Sequence, residues 1–438
     1  MDSLLAARSQ MAMSLAFHIV FAVIGMAMPA LMVVSEWRWL RTRDRTYLDL
    51  TKRWARGTAI FFAVGAVSGT VLSFELGLLW PAFMVYSGAI IGMPFSLEGF
   101  AFFLEAIFLG IYLYGWDRVS PRVHILSGVI VAISGALSGL FVVTANAWMN
   151  APAGFRLVDG HPADIDPIAA MMSPAAAAEV THMLIAAYAA VGFAVAGIHA
   201  WRLQQRPASP FHRHALIVAL ALGAPAAIVQ PIAGDFAARV VARTQPAKLA
   251  AMEGQFQTER AAPLRIGGVP DPDARTTRYA IEIPGGLSWL AYGDSHALVA
   301  GLQAVPRRDW PPVVFVHLSF QIMVAAGVAM AAIALWSAWL AIRRVDVTHA
   351  RGFLRTVSAA APLGFIAIET GWMVTELGRQ PWIISGVMRT ADAVSPVPHL
   401  EIPLVLFSML YFFLAAVVII VMTRYVVAAP RAAGSIDA

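Results

Sequence analysis

The sequence predicts an all-α integral membrane protein with about nine transmembrane helices. Three observations carry this. Of 438 residues, 59% are hydrophobic and only 13% charged, and mean hydropathy is +0.70, too little polarity to clothe a soluble protein of this length. Nine apolar segments each approach the ~20 residues that a bilayer core requires. The loops between them alternate in charge. Peptide groups facing lipid must bond within their own segment, so all nine segments are helical.

In chain order the predicted spans are Met11–Val34, Gly57–Trp80, Phe95–Trp116, His124–Met149, Glu179–Leu203, His214–Val240, Pro312–Ile342, Leu354–Leu377 and Ile402–Tyr425. The first loop holds Arg38, Arg41, Arg43, Arg45, Lys52, Arg53 and Arg56, the third Arg118 and Arg122, the fifth Arg202, Arg206 and Arg213, and the seventh Arg343, Arg344, Arg351 and Arg355. The second loop, Pro81–Pro94, has no charge, and the fourth sets only Arg156 against Asp159, Asp164 and Asp166. Basic odd loops face the cytoplasm, which puts the N-terminus outside and the C-terminus inside. The first residues lack a basic region and a small-residue cleavage site, so they read as leading into the first span. The net charge of +5 is this loop bias rather than a nucleic-acid footprint.

One outer segment is too long for a connector: Val241–Pro311, about 70 residues with a helix-like start at Gln245–Phe256, is of the length that is usually functional or disordered. The chain therefore divides into residues 1–240 (spans one to six), 241–311 (an extracytoplasmic loop), 312–427 (spans seven to nine) and a disordered cytoplasmic tail, 428–438. With no cysteine, disulfides, thiolate metal sites, iron–sulfur clusters and covalently attached haem are excluded. Any metal must be held by His, Met, Glu, Asp or a macrocycle.

Ionisable groups inside a bilayer cost roughly 2.5–3.5 kcal/mol each at mid-helix, which makes them candidates for function. Here they include His18, His182, Glu75, Glu98, Glu105, Asp235, Glu369 and Glu376. Glu376 stands near the carbonyl end of its helix, where a carboxylate needs a cation. Gly378 is expected as the helix-ending C′ glycine, with Pro381 blocking continuation. Arg379 would suffice as the cation, and so would a metal. Taken singly, His182 reads equally as a polar bundle contact, Met323 as packing, and His199 and His317 as interfacial side chains reaching toward water.

The predicted topology puts His18, His182 and Met323 roughly 5–17 Å below the outer boundary at 1.5 Å per residue, and Glu376 at the outer end of its helix. A His/Met pair is a familiar way to hold a low-spin electron-transfer haem. A second His and a Glu would then serve separate five-coordinate irons. Glu98 and Glu105, seven residues apart, share one helix face. With Ser138 and Thr144 from the next span they form either a proton path from the cytoplasm or a hydrogen-bonded bundle interior.

These residues resemble the cytochrome bd-type quinol oxidase subunit I family. The resemblance is carried by Gly378-Arg379-Gln380-Pro381-Trp382 with Trp372 and Glu376; Arg8-Ser9-Gln10 with His18; Ser73-Phe74-Glu75-Leu76-Gly77 with Trp80-Pro81; Glu98 to Glu105 with Gly115-Trp116-Asp117-Arg118; Ala145-Asn146-Ala147-Trp148-Met149; Thr181-His182; and Lys248 to Glu253 with Gly267-Gly268-Val269-Pro270-Asp271. It spans nearly the whole chain. The resemblance implies that His182 and Met323 ligate a low-spin haem b, that Glu376 ligates a high-spin haem b, and that His18 ligates the oxygen-reducing haem d (or a third haem b). It places Trp372 between the high-spin haems, Arg379 at their propionates, Lys248 and Glu253 at the quinol site, and Glu98, Glu105 and Ser138 on the proton route.

The implied activity is quinol:oxygen oxidoreduction in a bacterial cytoplasmic membrane. Ubiquinol or menaquinol would be oxidised at the outer face and oxygen reduced to water with protons from the cytoplasm, without pumping. The implied partners are a second membrane subunit and sometimes a small single-span one. Two features depart from the usual pattern: Gln321 stands where an Arg often precedes the Met ligand, which should lower the low-spin potential, and the outer loop is short, as in the cyanide-insensitive branch. The rival readings are a proton-coupled transporter, weakened by the lack of Gly/Pro-interrupted spans, and a di-haem quinone-linked dehydrogenase subunit.

Overall fold

The computed structural model describes residues 2–424. Among them, nine helices are long and apolar enough to cross a membrane: Ser3–Thr42, Arg45–Leu79, Pro81–Tyr114, Pro121–Asn150, Ala176–Gln205, Pro210–Thr244, Val313–Ile342, Arg351–Gly378 and Glu401–Met422. They are numbered spans one to nine below. The expected tail and the last residue of the predicted ninth span lie outside the described residues.

Local chemistry sets where these helices stop. Span one runs on through Arg38 and Arg41 and ends at Arg43, whose φ of 59° turns the chain. Asp44 then caps span two by accepting from the Thr46 N–H. Ser120 and Ser209 cap spans four and six in the same way, each followed by a proline at the first helical position, where a missing N–H costs nothing.

The structure corrects three expectations. The uncharged stretch Pro81–Pro94 is not a loop: it is the first half of span three, and the chain reverses at Trp80 alone. Proline is tolerated at a helix start, and nothing polar in the segment calls it to water. Span eight is broken, as Arg351–Ala359 and Leu363–Gly378, around Pro362, which cannot donate to the turn before it. Gly378 belongs to the helix, and Arg379 behind it has right-handed φ and ψ. The reason for glycine there is proximity: a Cβ on Gly378 would stand 2.8 Å from Lys248 Cγ.

Spans five and six pack most closely at Gly192 and Gly223, where an added Cβ would stand 2.4 Å from the opposing Cα. Small residues permit such approach in lipid, where packing rather than water drives association. One core joins spans one, two, five, six and eight through Val23, Leu31, Trp54, Ala187, Val218 and Ile368. A second joins five to eight through Phe193, Leu216, Ala334 and Phe353. A third closes the end where Leu79, Trp80, Phe83, Trp148 and Ile384 meet. On span nine Phe412, Phe413 and Ile419 are exposed, as a lipid-facing or subunit-facing helix allows.

The segment between spans six and seven is ordered around a short helix, Pro246–Glu253, and three antiparallel strand pairs: Glu259–Arg260 with Leu298–Val299, Leu264–Ile266 with Ile281–Ile283, and Val269–Asp271 with Thr276–Arg278.

Candidate functional site

A buried polar network forms where spans four, five and eight meet the short helix. Glu376 accepts from Asn146 Nδ2 at 2.5 Å through one oxygen and from Arg379 Nη2 at 2.7 Å through the other. Asn150 ties the rest together. Its Oδ1 accepts from Lys248 Nζ at 3.2 Å and Arg379 Nη1 at 3.4 Å, and its Nδ2 donates to Asn146 Oδ1 and Glu179 Oε1, both at 3.0 Å. Arg379 and Lys248 are each 4% exposed and Asn150 1%. Two carboxyl groups thus face two cations around a buried centre, where removing one partner of a buried pair costs about 3–5 kcal/mol. Arg379 Nε has no partner among the described residues, so one guanidinium donor is left for a further acceptor.

The other candidate ligands share a geometric feature. Each faces a glycine on a neighbouring span. A Cβ on Gly69 of span two would lie 3.0 Å from His18 Cε1, one on Gly371 of span eight 3.1 Å from Met323 Sδ, and one on Gly234 of span six 3.5 Å from His182 Cε1. Any side chain at Gly69 or Gly371 would crowd the donor. His18 Nδ1 lies 2.9 Å from Ser68 Oγ, which fixes the ring and leaves Nε2 free to ligate. His182 meets Gln230 Nε2 at 3.2 Å, and Gln230 Oε1 is buried without a partner among the described residues.

Among the described residues no three His, Asp or Glu side chains converge as a bare-metal cage would require. The donors are single and dispersed over spans one, five, seven and eight, and three of them, His18, His182 and Met323, are backed by glycines. That set suits an iron whose equatorial ligands come from a macrocycle, and the residues present fit haem.

A second line of carboxylates occupies span three, beside span four. Ser138 Oγ donates to Glu98 Oε1 at 3.0 Å. Glu105, 5% exposed, points into a groove lined by backbone: a Cβ on Gly135 would lie 3.3 Å from its Oε1, and one on Gly25 3.7 Å. Thr144 does not join them, since its hydroxyl bonds Phe141 O at 2.7 Å. Glu75 is fully buried and accepts from Gln10 Nε2 and Ser14 Oγ, both at 2.9 Å. Trp372 lies against the core of spans one, two, five and six.

The structure separates Lys248 from Glu253, although both sit on the short helix. Lys248 points into the Glu376–Arg379 network, and burial pulls its ammonium down while Glu179 holds it up. Glu253 faces the other way, beside Arg265. Burial pushes its carboxyl up to about 8 against the pull of that arginine, and its Oε2 has no partner among the described residues.

Two histidines differ from expectation. His317 is not interfacial but fully buried, with Nδ1 2.8 Å from Met252 O and Nε2 3.1 Å from Gly267 O. His199 is also buried and pairs with His212 Nδ1 at 2.9 Å. Sequence reasoning missed the roles of Asn146, Asn150, Glu179 and Gln230. Glu179 alone carried a signal: it is an acid in the first turn of a span, favoured by the helix dipole but expensive unless paired.

Comparison with known proteins bears on the chain as a whole. The family model described as cytochrome bd terminal oxidase subunit I matches residues 6–430. A putative cytochrome bd menaquinol oxidase subunit I of Bacillus subtilis is 34% identical, with 97% of each chain covered. The cytochrome bd ubiquinol oxidase subunit 1 of the same organism is 31% identical over 97% of this chain and 93% of its own length. The solved bd oxidase structure from Geobacillus thermodenitrificans superposes with a TM-score of 0.91 at 39% identity, covering 97% of this chain and 98% of that one.

Proposed function

This chain belongs to the cytochrome bd terminal oxidase subunit I family, the catalytic subunits of membrane quinol:oxygen oxidoreductases, and from that premise we propose how its residues divide the work. Family membership sets aside the transporter and the oxygen-independent dehydrogenase. The observation that carries the assignment is the glycine opposite each of His18, His182 and Met323. His182 and Met323 hold a low-spin haem b, Glu376 a high-spin haem b, and His18 the oxygen-reducing haem, d or b. When bound, the haems supply electron carriage and oxygen reduction.

The chain's own residues do the rest. Arg379, whose Nε has no partner among the described residues, would meet propionate oxygens when Glu376 ligates iron. Asn146 would keep one Glu376 oxygen in place. Trp372 would be placed between the high-spin haems. Lys248 and Glu179 keep the network neutral on the side of the short helix, so Lys248 acts through this network and Glu253 through the quinol itself. Residues 241–311 form the outer quinol site, for ubiquinol or menaquinol. Glu105, Glu98 and Ser138 carry protons for water up from the cytoplasm. Release of quinol protons outside and uptake from inside then separates charge without pumping. A second membrane subunit, and in some assemblies a small single-span one, completes the enzyme, with the N-terminus outside and the C-terminus in the cytoplasm.

Two measurements test this. Purified protein expressed with haem supply should show a Soret band and, after acid extraction, two b haems and a third haem of d or b type. A colourless protein overturns the assignment. If Glu253 takes a quinol proton, quinol kcat/KM should rise with pH through about 8, where its raised carboxyl ionises, because only the carboxylate accepts. Glu253→Gln should flatten that profile and lower its plateau by about tenfold. An unchanged profile removes Glu253 from the site.

A further inference from the structure

We propose that His317 and Gln321 are positioning residues for quinol oxidation, a pair of staples that hold the outer loop in register with the span carrying Met323. The proposal rests on the reading of residues 241–311 as the quinol loop. The two residues stand one turn apart on span seven, on one face. His317, with 0% exposure, lies between two arms of the loop: Met252 O at 2.8 Å from the end of the short helix, and Gly267 O at 3.1 Å from the hairpin. Gln321 binds the hairpin from below. Its Oε1 accepts from Gly267 N at 2.9 Å and its Nε2 donates to Arg265 O at 3.1 Å. Both polar groups of the Gly267 backbone are therefore held by span seven.

The hairpin chemistry fits such a clasp. Gly267 and Gly268 have φ of +68° and +91°, left-handed values that turn the backbone toward the span and that other residues rarely adopt. Around it, Val313 and Val316 of span seven pack with Ala250, Ala251, Met252 and Phe256. The connection runs on to the candidate proton acceptor. The Arg265 carbonyl is bound by Gln321, and its guanidinium pairs with Glu282 at 2.9 Å and acts on the buried Glu253. Two residues further along span seven is Met323, against Gly371. A single rigid turn thus places both the cation beside Glu253 and the sulfur proposed for the low-spin haem. Gln321, at the position where the family's usual pattern has an arginine, serves here as a backbone clasp.

The test uses the assembled oxidase. Gln321→Leu keeps the volume and removes both clasps, leaving Gly267 N–H and Arg265 O without partners. His317→Phe removes the ring N–H that a neutral imidazole donates to one of the two carbonyls, Met252 O or Gly267 O. Each should raise the apparent quinol KM about tenfold, the scale of a lost buried hydrogen bond to backbone, while kcat at saturating quinol stays within about twofold, the signature of lost binding rather than lost chemistry. Haem content should be unchanged. Trypsin added from the outer face should cut the exposed loop at Arg275 faster than in the wild type. Gln321→Glu, which still accepts from Gly267, should fall between.

A wild-type KM in Gln321→Leu overturns the proposal, and so does faster cleavage with KM unchanged, which would leave a purely structural fastening. If His317→Phe fails to assemble, Gln321→Leu decides alone. A wild-type enzyme with no quinol-dependent oxygen uptake overturns the underlying quinol reading instead, a different result from wild-type turnover with an unaltered variant.

Discussion

Met323→Leu should abolish the low-spin haem signal and replace it with a high-spin one, while haem content stays near wild type. Leucine matches methionine closely in volume, so packing loss alone costs under about 1.5 kcal/mol, and the helix keeps its place against span eight. What is lost is the thioether donor. Met323 Sδ lies where a Cβ on Gly371 would approach within 3.1 Å, so the sulfur is the atom nearest that glycine. Removing a thioether ligand lowers the potential of a His/Met site. A fall of about 120 mV would shift the one-electron equilibrium by roughly a hundredfold, at 59 mV per decade, and quinol-driven oxygen uptake should fall on that scale. Reduced-minus-oxidised difference spectra check the first claim and oxygen electrode rates the second. An unchanged low-spin band refutes axial ligation by Met323. Gly371→Val offers an independent approach to the same position, because its added carbons crowd the sulfur; it should weaken the same band without touching the ligand.

Glu105→Gln should slow steady-state oxygen reduction by about a hundredfold, at the low end of what a positioned proton donor contributes, while quinol still reduces the low-spin haem at the wild-type rate. The amide is isosteric and fits the groove between Gly25 and Gly135, but it cannot pass on a proton. Stopped-flow reduction of the low-spin haem, run beside steady-state uptake, separates proton delivery from quinol chemistry. Equal turnover in Glu105→Gln takes it off the route.

Glu376 shows how far the chain alone could be read. Its place near the end of an apolar helix, three residues before Arg379, was visible as a charge that needed a partner, and the structure sets the two 2.7 Å apart. The motif around it, together with those around His18, Glu75, Glu98 to Glu105, Trp148, His182 and Lys248, carried the resemblance to the family. Gly378 was legible as important but for the wrong cause. A helix-ending glycine and a glycine that lets a lysine pass look alike in one dimension, and only the approach of Lys248 Cγ to within 2.8 Å of the missing Cβ tells them apart.

By itself, then, the sequence determined the nine spans, their approximate positions, and the residue types available as ligands. A bilayer leaves peptide groups no alternative to helix, and loop charge sets the expected orientation. Only the tertiary structure decided which side chains meet. Lys248 and Glu253 share a two-turn helix, yet one joins Asn150 and Arg379 and the other lies beside Arg265. His317, expected at an interface, is sealed under a loop that returns from fifty residues away in the chain. Helical periodicity states which residues share a face. How that face is rotated against its neighbours, and where a long loop comes back to rest, is set by close packing such as Gly192 on Gly223 and by backbone groups that must find partners once water is excluded.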